Sequence, residues 1–82
     1  MNSVFIKPKI NSNVSFIKTR NARYIQTKKE IIYVSQVSYD VLSLCNGSHS
    51  VCDISYQLTC DYKANVTLQQ INEVLMLYEY LF

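Results

Sequence analysis

The spacing of apolar residues changes period at Ser35, from about two to about 3.6, and this constrains the chain to a small sheet followed by helices. Before the change, residues 13 to 20 (NVSFIKTR) alternate Val14 and Phe16 with Ser15 and are rich in β-branched side chains. Asn21-Ala22 then reads as a tight turn, Arg23 to Thr27 as a second extended run, and Lys28-Lys29-Glu30 as a second polar turn. Ile31-Ile32-Tyr33-Val34 is the most strand-like tetrapeptide in the sequence. Three short strands with two brief turns predict an antiparallel meander over residues 13–34.

After Ser35, Val37, Val41 and Leu44 fall at i, i+4 and i+7, with Leu42 and Cys45 widening the stripe. Asn46-Gly47 is expected to end this first helix as a left-handed cap. Ser50-x-x-Asp53 opens a second helix as a capping box, with Ile54, Leu58 and either Val51 or Tyr62 facing inward. Thr67-x-x-Gln70 opens a third, expected to run to the carboxyl terminus. Leu68, Ile71, Leu75, Tyr78 and Phe82 suffice for its core seam, which places Val74, Leu77 and Leu81 on a neighbouring face. That face needs a cover, from the amino-terminal arm, the first strand or a homodimer, or it is a groove.

With one Gly and one Pro in 82 residues there is no linker, repeat or phosphate-cradling loop. Residues 1–82 therefore read as one domain: a loose arm over 1–12, the meander over 13–34 and three helices over 35–82. A chain this short buries only roughly 60–65% of its unfolded surface. Cysteines at 45, 52 and 60 fit neither a disulfide framework nor close zinc-ligand pairs, so reduced, mostly buried thiols are expected. The apolar runs Glu30 to Val34 and Leu75 to Phe82 are too short to span a membrane, and no secretory signal precedes them, which makes the cytoplasm the default location. His49 sits in a polar loop without triad or metal partners, and the six acids are scattered singly, so neither catalysis nor a cofactor is expected.

Binding remains. Seven of the eight Lys and Arg precede residue 30 and all six acids follow residue 29, so the chain divides into a +7 and a −5 segment. A meander followed by a helix, a Gly turn and two further helices has the look of a winged helix-turn-helix, but the third helix holds no Lys or Arg to neutralise phosphates. A winged-helix DNA-binding regulator is thereby disfavoured. A small structural subunit docked on an enzyme is a further alternative. Peptide capture needs a free strand edge beside an apolar helix face, and Ile31 to Val34 with Val74 to Leu81 supply both if the fold sets them side by side.

The run Leu44-Cys45-Asn46-Gly47-Ser48-His49-Ser50-Val51-Cys52-Asp53-Ile54-Ser55-Tyr56-Gln57-Leu58 resembles the PqqD-like domains, or RiPP recognition elements. It matches their helix ending in an apolar pair, an Asp-Gly-type turn with Asn46 in place of Asp, a Ser-Val step, and Ile and Leu four apart. Pro8, the meander, the Val34-Ser35 junction and Val66 to Phe82 extend the likeness over about residues 8 to 82. The resemblance implies an α+β winged helix-turn-helix without catalytic residues, cofactor or metal. It further implies that the leader of a ribosomally made precursor peptide adds an antiparallel strand to the third strand. By position, the peptide contacts would be Ile31, Ile32, Tyr33 and Val34 with Gln70, Val74, Leu77 and Tyr78. The partner enzyme would be a radical-SAM enzyme, cyclase, dehydratase or protease, and the chain a stand-alone adaptor. Lys28 and Lys29, just before the strand, are expected to steer an acidic leader.

Overall fold

A computed structural model describes residues 7–82, so the first half of the expected arm, Met1 to Ile6, lies outside the described residues. Strands β1 (Ser15–Lys18), β2 (Arg23–Gln26) and β3 (Ile31–Val34) form an antiparallel sheet in the order β1-β2-β3. Helices α1 (Gln36–Ser43), α2 (Val51–Tyr62) and α3 (Leu68–Leu77) follow, as the change of period requires. The chain is thus an α+β meander followed by three helices.

Side-chain caps set where the helices begin. Ser35 Oγ accepts the Ser38 amide at 3.2 Å and opens α1. Ser50 and Thr67 form the two capping boxes read from the sequence. In the first, Ser50 N–H donates to Asp53 Oδ2 at 3.0 Å while Asp53 N–H donates to Ser50 Oγ at 3.1 Å. The helix ends depart from expectation. Helix α1 stops at Leu44, and the left-handed Gly47 lies beyond it, where the Lys9 side chain runs past within 3.4 Å of the position a Cβ would take. Lys63, not a glycine, ends α2 in the left-handed region at φ 54°. Helix α3 does not reach the carboxyl terminus. It ends at Leu77, and Tyr78 turns the chain into a short 3-10 helix, Glu79–Leu81.

That break redistributes the apolar residues. Val41, Cys45, Val51, Ile54, Leu58, Val66 and Ile71 form a core among the helices, with Tyr62 packed against it. Ile25, Val34, Leu42 and Leu81 form a second core between sheet and helices. Val74 packs against both, and Leu81, expected on an uncovered face, is buried. Residues 8–11 are not loose either. Gly47 N–H donates to Pro8 C=O, Ile10 N–H to Cys45 C=O and Asn11 N–H to Leu81 C=O, at 2.8–3.0 Å. Ile10 inserts between the two cores, so the arm covers part of what the helices leave open. Of the three thiols only Cys45 is buried: its Sγ donates to Val41 C=O, and burial pushes its pKa up to about 12. Cys52 and Cys60 lie on the outer side of α2 with Tyr56, four residues from each, because Val51, Ile54 and Leu58 already fill the inner side. His49 is half-buried rather than solvated, with Nδ1 shielded from solvent.

Three stability measurements check this account. Ile54→Ala empties a fully buried site and should lower unfolding free energy by about 2–5 kcal/mol in urea titrations. Lys63→Gly relieves a left-handed side-chain conformation and should raise it by about 0.5–1 kcal/mol. The Ser50 amide holds the Asp53 carboxyl below its ordinary range. Its contribution is therefore complete above the unfolded value near 3.8 and fades as pH falls through the lower folded value. The urea midpoint should drop on acidification below about pH 4, and Asp53→Asn should flatten that part of the profile.

Candidate peptide-binding edge

Strand β3 has β2 on one side and, among the described residues, no strand on the other. Which of its backbone groups face the open side follows from the turn. Thr27 N–H donates to Glu30 C=O at 2.9 Å, while Thr27 Oγ1 receives the Lys29 and Glu30 amides, closing a two-residue loop at Lys28-Lys29. Antiparallel pairs alternate between bonded and non-bonded, so Ile31 opposite Gln26 and Tyr33 opposite Tyr24 are the non-bonded pairs. The N–H and C=O groups of Ile31 and Tyr33 therefore point to the open edge, and those of Ile32 and Val34 point to β2.

The side chains divide by the same parity. Ile31 and Tyr33 stand on the outer face of the sheet, 62% and 69% exposed, with Tyr33 packed on Tyr24 at a ring separation of 5.2 Å. Ile32 and Val34 point inward, into the core that also holds Val74, Tyr78 and Leu81. An added strand would thus set alternate side chains beside Ile31 and Tyr33, and the intervening ones toward α3. Helix α3 meets the sheet through the core that Ile32 and Val34 share with Val74 and Tyr78.

The four α3 candidates separate. Gln70 Oε1 accepts the Thr67 amide at 2.9 Å in the capping box, near the start of the helix and away from its Leu77 end. Val74 is mainly a core residue joining both clusters, and Tyr78 is half-buried in the second. Gln70 is exposed but held by the capping box; Leu77 is exposed as well, at 66%. Beside it stand Met76 and, past the break, Tyr80, two exposed side chains that the helical stripe did not single out. Met76 was legible as a member of the unbroken apolar run from Val74 to Tyr78; Tyr80 was not, because its position depends on the break.

Among the described residues sheet edge β1 is also unpaired, but it carries exposed Ser15 and Lys18 and is followed by Arg20. Charges along an edge oppose strand addition, so β3 is the edge suited to pairing. Lys28 and Lys29 are exposed at its start. On the far side of the molecule, the Tyr62 hydroxyl donates to the Asp40 carboxylate and ties α2 to α1, and burial followed by that bond raises the phenol's pKa. No helix among the described residues is long and apolar enough to cross a membrane.

No family model matches the chain, and no solved structure matches it significantly. A curated relative from Bradyrhizobium diazoefficiens, described as a PqqA binding protein, is 32% identical to it over 54 residues, 66% of this chain. The chain spans about half the length of that relative, 52% of it, and the similarity is consistent with a PqqD-like family.

Proposed function

We propose that this chain is a non-catalytic, PqqD-like adaptor that captures the leader of a ribosomally made precursor peptide by antiparallel strand addition to β3. The observation that carries this reading is the β3 edge, unpaired among the described residues, whose outward backbone groups belong to Ile31 and Tyr33 and whose inward Ile32 and Val34 share a core with Val74 of α3 and Tyr78. The name of the Bradyrhizobium relative supports a peptide ligand. In this reading the bound precursor is presented in the cytoplasm to a separate modifying enzyme or leader protease. A winged-helix regulator is less well supported, since α3 offers no cation to a phosphate backbone.

The magnitudes suit a reversible adaptor. A few strand hydrogen bonds at about 0.5–1.5 kcal/mol net and two or three apolar anchors at about 1.5–3 kcal/mol each oppose the cost of ordering a flexible peptide. The balance corresponds to roughly micromolar to nanomolar binding.

Two substitutions separate binding from folding. Tyr33→Pro removes an N–H that faces the open edge and leaves the β2 ladder intact, whereas proline at Ile32 would break that ladder. Leu77→Asp places a charge on an exposed position; Val74→Asp would not serve, because Val74 joins both cores. Titrating an isotope-labelled chain with a short acidic, apolar leader peptide should move the amide signals of residues 31–34 and 74–78. Each variant should keep its dispersed spectrum and bind at least tenfold more weakly. Unchanged affinity in both folded variants would sink the proposal.

A further inference from the structure

At the amino-terminal end of β3 the β2–β3 turn and the carboxyl-terminal 3-10 helix enclose an open cavity of about 390 Å³. Lys28 and Lys29 line it from the turn, Asn11 from the arm, Asn13 from the residues just before β1, and Tyr80 from the 3-10 helix. Its walls are rich in donors. Asn11 Oδ1 accepts the Asn13 amide at 3.2 Å, and the Asn11 side chain also carries an amide donor. Tyr80 keeps its proton, since burial and then the nearby Glu30 carboxylate raise its pKa. Glu30 also lines the cavity, against two lysines, which leaves a net positive charge.

A strand running antiparallel to β3 leaves the edge at Ile31, and its carboxyl-terminal end passes the Lys28-Lys29 turn. We infer that this cavity selects peptides carrying an Asp or Glu just after the segment paired with β3, with Lys28 and Lys29 facing the carboxylate and Asn11 and Tyr80 as neutral donors. The inference rests on the strand-addition reading and adds to it a residue class at one end of the bound segment. Charge complementarity commits the cavity to an acidic side chain. A carboxylate there can pair with the lysines and accept from Asn11 and Tyr80, which an apolar side chain cannot do.

The experiment is selection of a displayed library of random twelve-residue peptides on the described fold, done in parallel with Lys28→Glu/Lys29→Glu. Both lysines are exposed in a turn whose closing bonds come from Thr27, so the double variant should fold, which circular dichroism checks. The expected outcome is alternating apolar residues followed on the carboxyl side by Asp or Glu, and a switch to Lys or Arg there in the variant. Replacing the selected acid by its amide should weaken binding about three- to tenfold, less at high salt. Apolar selection with no charge preference, or one the variant does not reverse, overturns the cavity's role and leaves strand addition standing. Failure to enrich any peptide that shifts residues 31–34 overturns both.

Discussion

Among the described residues, Val74 and Ile10 are the two side chains that pack against both hydrophobic clusters, and the arrangement of the sheet on the helices depends on them. One cluster closes α1, α2 and the first part of α3; the other fills the space between sheet and helices. Helix α3 must serve both. Ile71 faces one cluster, Val74 both, and the chain has to turn at Tyr78 so that Leu81 reaches the second. A single straight helix cannot turn three successive faces inward, so Met76 and Leu77 remain outside. The exposed apolar end of α3 is a consequence of how the core is closed in so short a chain.

The sheet imposes a parallel constraint. Closing the β2–β3 turn with two residues fixes the register, and register fixes parity: Ile32 and Val34 go to the core with their backbone toward β2, while Ile31 and Tyr33 keep outward backbone groups and exposed side chains. A one-residue slip would exchange the two sets. It would bury the larger Tyr33 where Val34 now fits and expose the residues that join sheet to helices. The outward face of β3 and the core are thus set together by one register.

Features set by local chemistry were legible in the sequence. The strands follow from alternation and β-branching in Ile31 to Val34, and Ser50-x-x-Asp53 and Thr67-x-x-Gln70 form the reciprocal bonds their spacing requires. What escaped depends on contacts distant along the chain. The docking of Pro8 to Asn11 is set by backbone groups of Cys45, Gly47 and Leu81, which no local pattern encodes. The halt of α3 at Leu77 breaks a stripe that would otherwise continue through Leu81 and Phe82. Cysteine's usual burial misleads at Cys52 and Cys60, because helical geometry places both opposite the inner face formed by Val51, Ile54 and Leu58. Of the candidate contacts, the four strand residues were readable as a group, but their division into inward and outward pairs required the turn geometry.

The uneven charge of the chain follows the same logic. An open, apolar strand edge is an invitation to pair with another copy of itself, and short edge strands with flanking lysines are the usual defence. Here Lys28 and Lys29 stand at the start of β3, and Lys18 and Arg20 guard the other edge. In an antiparallel pairing of two β3 strands, the turn of each copy would pass the far end of the other. Such a pairing would bring Lys28, Lys29 and Glu30 of each turn past the far end of an uncharged strand, two cations for one acid. A peptide that brings its own carboxylate meets the lysines favourably. Lys28 and Lys29 thus give this edge a basic flank, while the four residues of β3 carry no charge themselves.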